Sequence, residues 1–132
     1  MQLALLSAAR AAIAAGALVF AAAAAAATLP YTKAAFDGAI ATGKPAIVHF
    51  HAEWCPTCRA QKPIAAALLA EPKRRNVTLF IADYDSETAL RKQLGAKHQS
   101  TFVVFKGGKE VGRSTAQTNR EQIAGLFDKA LP

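Results

Sequence analysis

Apolar positions along this chain come in short blocks whose period changes, and each block predicts an element. Ala35, Phe36, Ala39 and Ile40 recur at helical spacing and predict a helix over 32–41, with Gly43 as the stop just past its end. Residues 45–51, Pro-Ala-Ile-Val-His-Phe-His, are rich in β-branched and aromatic side chains and predict a strand. A second helix is expected from Cys55 to about Ala70, bounded by Pro72 and kinked at Pro63. Residues 77–84 are nearly continuous in apolar content, as suits a strand covered on both faces. Ser86 is placed to cap a helix over 87–94 that Gly95 would end. Residues 101–105 and 110–114, joined by Lys106-Gly107-Gly108-Lys109, predict a hairpin. Thr118 or Asn119 would cap a closing helix with Ile123, Leu126, Phe127, Ala130 and Leu131 on one face.

The expected order is therefore α-β-α-β-α-β-β-α. Strands separated by helices pair in parallel and a terminal hairpin adds an antiparallel edge, which gives a three-layer α/β/α fold around one mixed sheet. No internal repeat or interdomain linker interrupts it.

The overall apolar share of 52% is inflated by the first segment. Residues 11–29 carry no charge, follow Arg10, and end in the alanine run Ala21 to Ala27. A positive start, an apolar middle and a small-residue site such as Ala25-Ala26-Ala27 are the parts of a secretory signal, so 1–27 is expected to be a signal peptide and 28–132 the domain. The alternative is an uncleaved membrane anchor, since the uncharged stretch is just long enough to span a bilayer. Either way Arg10 stays inside and the domain is delivered outside the cytoplasm, to the periplasm or its equivalent.

The chain of 132 residues suits one domain with one core. Its net charge of +7 is scattered in small groups without interleaved aromatic residues, which points to a solvated surface and away from nucleic acid. Acidic partners and anionic lipid are the weaker alternatives.

Both cysteines of the chain lie in one Cys55-Pro56-Thr57-Cys58. An exported protein with no other cysteine has no disulfide framework to build, so the pair serves reactivity or metal binding. A strand, a short loop and Cys55 opening a helix put the first thiol where unpaired N–H groups and the helix dipole favour a thiolate, the nucleophilic form. Cys58 lies three residues on, within reach to close a disulfide. Pro56 suits the first helical turn, and Thr57 has a hydroxyl to offer the Cys55 thiolate. Attack by Cys55 on a partner disulfide, resolved by Cys58, or the reverse, follows from this layout.

Ala52-Glu53-Trp54-Cys55-Pro56-Thr57-Cys58 with Pro63 resembles the active-site segment of the thioredoxin superfamily. Asp83-Tyr84-Asp85 and the stretch 101–109 are similar to its later landmarks in the same order, so that the likeness covers about Lys44 to Leu131. The resemblance implies a thioredoxin-like fold and a protein thiol–disulfide oxidoreductase with no cofactor beyond the Cys55–Cys58 disulfide. It makes Cys55 the exposed nucleophile and Cys58 the resolving thiol, with Trp54, Ser100 and Thr101 on the client surface. Implied partners are client proteins with thiols or disulfides and a redox partner, expected to be membrane-bound.

Three positions depart from the family's pattern. His49 stands where the family has a buried acid, and His51 where it often has an aromatic residue. Ser100 replaces the proline whose cis bond precedes the next strand. A non-proline cis bond costs about 2.5–4 kcal/mol, so Ser100 is expected on a trans peptide with local rearrangement. Its restored N–H then needs a partner, and the thiolates stand more open to soft metals. A protonated His49 beneath the dithiol would stabilise the reduced form.

Three other readings compete with exchange. The cysteines could be buried and inert; two chains could share zinc or an iron–sulfur cluster through four thiolates; or the groove around Trp54 could be a non-catalytic binding module. Reductant, oxidant and isomerase share this framework and differ in reduction potential. With no large client-binding insertion, a reductant or client-specific exchange protein is favoured.

Overall fold

The structure is a computed structural model that describes residues 25–132. The signal-peptide or anchor reading of the first segment falls almost entirely outside these residues. The described chain runs β1 (Ala27–Pro30), α1 (Lys33–Ala41), β2 (Ala46–His51), α2 (Pro56–Leu69), a 3-10 turn (Pro72–Arg74), β3 (Thr78–Asp83), α3 (Thr88–Leu94), β4 (Thr101–Lys106), β5 (Lys109–Thr115) and α4 (Arg120–Asp128).

The five strands form one sheet in the order β1-β3-β2-β4-β5. β1, β3 and β2 are mutually parallel, whereas β4 runs antiparallel to β2 and β5 antiparallel to β4. Every side chain of the central β2 is buried. Alternation along it sends Ile47 to the layer of α2 and α4, and Val48 and Phe50 to the layer of α1 and α3. Phe36, Phe50, Phe80, Phe102 and Phe127 are all essentially inaccessible. Each contributes on the order of 1.5–3 kcal/mol by burial, so the core is anchored on both faces. The expected three-layer α/β/α architecture is the one observed.

Local chemistry explains the boundaries. Thr32 caps α1 by accepting from the Ala35 N–H, and Asn119 caps α4 by accepting from the Gln122 N–H. Gly95 ends α3 in the left-handed conformation. The β4–β5 turn has positive φ at both Gly107 and Gly108, the twist that a tight hairpin requires. α2 runs unbroken through Pro63.

Two expectations need correction. The pattern of the sequence does not predict the strand β1, because Ala27-Thr28-Leu29-Pro30 continues an alanine run and ends in proline. It persists as an edge strand, where proline is tolerated, through parallel pairing with β3. Ser86 does not cap α3; its N–H and that of Asp85 donate to Asp83 Oδ1, and Glu87 precedes the helix without a side-chain cap.

Candidate active site

β2 ends at His51, Ala52-Glu53-Trp54 turns the chain, and Cys55 occupies the N-cap of α2. Cys55 Sγ accepts the Cys58 N–H at 3.2 Å, so a sulfur fills the place that a capping oxygen usually takes. Pro56 follows at the first helical position, where its missing N–H leaves nothing unpaired. The Cys58 thiol points back towards the β2 carbonyl of Phe50, at 4.0 Å. Both cysteines are free thiols packed with Ala52 and Tyr84.

The two sulfurs are electrostatically unequal. Burial opposes ionisation of Cys55, but hydrogen bonds from the Cys58 thiol and N–H, from the Ser100 hydroxyl and at Gln99 outweigh it and hold its pKa below the ordinary thiol value. Burial pushes the Cys58 pKa up, and donating to Cys55 raises it further. The first thiol is thus the one prepared to ionise.

The expectation of an exposed Cys55 is corrected: the residue is only 3% exposed, with the Ser100 hydroxyl 3.7 Å from its sulfur. Of the three residues expected on the client surface, Trp54 alone is open, 58% exposed, its indole N–H donating to Asp85. Ser100 and Thr101 are buried. Thr101 turns its hydroxyl inward to the His98 carbonyl at 2.8 Å, and the backbone of Ser100 is tied to Phe50 and Ala116. Thr57 is half-buried, and among the described residues no hydrogen bond joins its hydroxyl to Cys55; the Cys58 N–H and Ser100 supply those contacts instead.

Ser100 sits on a trans peptide with φ of 55°, in the left-handed region, which is the expected local rearrangement. Its N–H donates to the Phe50 carbonyl at 2.8 Å. Its carbonyl accepts from the Ala116 N–H at 2.9 Å and from Gln61 Nε2 at 3.1 Å. Ala116, at φ 61°, is the other non-glycine residue with positive φ among the described residues. Two left-handed residues hydrogen-bonded to each other beside the dithiol mark a strained, tightly determined corner.

Gln61 is the participant that sequence reasoning missed. It is fully buried, and its amide nitrogen donates to the carbonyls of Ser100 and Gln117. That fixes the amide so that Oε1 accepts from His49 Nε2–H, at 2.8 Å. The available signal was its position in the buried stripe Cys58, Gln61, Ala65, Leu68 of α2, where a lone amide among apolar residues needs partners.

His49 stacks on Phe102 at 4.3 Å between ring centroids, and its Nδ1 has no partner. Burial lowers its pKa to about 4, so the imidazole is neutral at physiological pH, which corrects the protonated form considered above. His51 lies on the same side of β2, 5.4 Å from His49 between centroids, and its Nε2 pairs with Glu53 at 2.8 Å. Among the described residues no three His, Cys, Asp or Glu side chains are grouped to hold a metal ion.

A thioredoxin family model matches residues 27–129. The chain is 35% identical to a thioredoxin of Chlamydia muridarum over 94 residues, covering 71% of this chain and 89% of that protein. It is 33% identical to a thioredoxin of Alicyclobacillus acidocaldarius over 105 residues, covering 80% and 99%. Among solved structures, Trxlp from Edwardsiella tarda superposes with a TM-score of 0.74 at 33% identity, covering 76% of this chain and 97% of that one. With two unequal thiols at the head of α2 in this fold, the chain belongs to the thioredoxin family and is a protein disulfide oxidoreductase.

Proposed function

We propose that the domain works outside the cytoplasm and exchanges disulfides with client proteins, with Cys55 as the attacking thiolate and Cys58 as the resolving thiol. The observation that carries the division of roles is the cap geometry: Cys55 Sγ receives the Cys58 N–H, and hydrogen bonds favour its ionisation over that of Cys58. Cys55 S⁻ attacks one sulfur of a client disulfide, forms a mixed disulfide and expels the other client sulfur as thiolate. Cys58 then loses its proton and attacks Cys55 Sγ, closing the Cys55–Cys58 disulfide and releasing the second client thiolate. Two electrons have passed from the dithiol to the client, and the Cys58 proton goes to solvent or to a released client thiolate. The same steps in reverse hand a disulfide to a reduced client, and the disulfide itself serves in place of a cofactor.

The exposed Trp54 indole, fixed by Asp85, suits the flank of a client-docking surface. Export rests on the first segment of the sequence, with Arg10 ahead of an uncharged run. An exported dithiol has no cytosolic reductase to renew it, which favours a membrane-bound redox partner. Dithiothreitol-driven reduction of insulin tests the chemistry: the native protein should accelerate it and Cys55→Ser should not. Acceleration by Cys55→Ser equal to native would refute the assignment. A phosphatase fused after Pro132 should be active only if the domain is exported.

A further inference from the structure

We propose that the Ser100 hydroxyl is a catalytic group of this dithiol, donating a hydrogen bond to the Cys55 thiolate, with Gln61 and His49 as the positioning residues that aim it. This rests on the reading of Cys55 as the attacking sulfur and adds a residue to that site.

The geometry is specific. Ser100 Oγ lies 3.7 Å from Cys55 Sγ, in the range of a hydrogen bond to sulfur, and the residue is 4% exposed, so water competes little. A hydroxyl can donate or accept, but a thiolate can only accept, so once Cys55 ionises the proton lies on Ser100. When Cys55 enters a mixed disulfide its sulfur loses the charge and the hydrogen bond weakens. The contact therefore favours the ionised, reduced state over the states that follow it, and no atom is transferred.

The backbone explains why the hydroxyl is available. Ser100 holds a left-handed φ because its N–H is tied to Phe50 and its carbonyl to Ala116 and Gln61. These three ties hold a non-glycine residue in a conformation that it rarely adopts. Gln61 is in turn held by His49 Nε2 and the Gln117 carbonyl. A buried polar chain thus runs His49, Gln61, Ser100, Cys55, from the middle of β2 to the reacting sulfur. Cys58 from α2 and the Tyr84 ring after β3 are the titratable groups packed against Cys55, while Ser100 and Gln99 before β4 bring no charge.

The test is the pH dependence of Cys55 alkylation by iodoacetamide on the fully reduced, full-length protein, with the modified residue assigned by mass spectrometry. Ser100→Gly removes the hydroxyl and keeps a residue at ease with positive φ. It should raise the apparent pKa of Cys55 by about one unit, a loss of about tenfold in thiolate below that pKa. Gln61→Met, which fills the same space without the amide, should move the profile the same way by less. Ser100→Ala provides the same reading should the glycine variant not accumulate. A profile for Ser100→Gly or Ser100→Ala that coincides with the native one would overturn the role of the hydroxyl. Insulin reduction by Cys55→Ser separates the two failures: an inactive Cys55→Ser with an unmoved Ser100→Gly profile sinks only this proposal, whereas an active Cys55→Ser sinks the reading beneath it.

Discussion

At the scale of single residues, the site is organised by where protons reside. Cys55 and Cys58 differ in ionisation because one accepts hydrogen bonds and the other, more deeply buried, donates one. His49 illustrates a cost of the same burial. Its folded pKa of about 4 lies below the ordinary imidazole value of 6.5, so between these two values the unfolded chain binds the proton that the folded chain refuses. Stability contributed by the neutral imidazole is complete above about pH 6.5 and is lost as pH falls towards 4, by on the order of 3 kcal/mol in full. Urea titrations across that window should show this slope, and His49→Gln should flatten it; an equal slope in the variant would mean that another group titrates. The Cys-Pro-Thr-Cys motif was readable in the sequence because its spacing and its place at a helix start carry the chemistry locally. Gln61 and the inward turn of Ser100 were not, since their partners lie 39 and 56 residues away in the chain.

Among elements, boundaries set by local chemistry were readable and those set by tertiary pairing were not. Thr32, Gly95, Asn119 and the Gly107-Gly108 turn each act within a few residues, and each marks an end the sequence predicts. β1 has no such signal, because its strand character comes from pairing with β3, about 50 residues away by register. The hairpin offers a sharp test of close packing. A Cβ on Gly108, at φ 78°, would stand 2.9 Å from the Ile40 carbonyl oxygen, whereas Gly107 has nothing within 4 Å. Gly108→Ala should therefore destabilise by about 2 kcal/mol or more and Gly107→Ala by about 1, the latter from its positive φ alone. Denaturant midpoints measure both, and equal losses would show that the Ile40 contact is not limiting.

Over the whole molecule, distant segments are tied together behind the site. Arg74 is 1% exposed and joins Glu71 at 2.7 Å, Asp128 of α4 at 2.8 Å and the Leu68 carbonyl at 3.1 Å. Arg74→Ala should cost about 2–3 kcal/mol, less than a fully buried pair, because the carboxylates left behind keep access to water. A thermal midpoint unchanged by that substitution would remove the tie from the account of stability. At the other end, Ala26 packs against the core and the Ala27 N–H donates to the Val77 carbonyl at 3.3 Å. Were the first segment removed as a signal, cleavage after Ala25 would keep both residues and still follow Ala-x-Ala, whereas cleavage before Thr28 would remove them; N-terminal sequencing of the protein from native cells would decide between Ala26 and Thr28. Thiol trapping reads the division of labour between the two sulfurs. In native cells or with a disulfide-bonded client in vitro, Cys58→Ser should accumulate mixed disulfides through Cys55 on non-reducing gels, while Cys55→Ser should accumulate few or none. Equal trapping by the two variants, or trapping by Cys55→Ser alone, would contradict it.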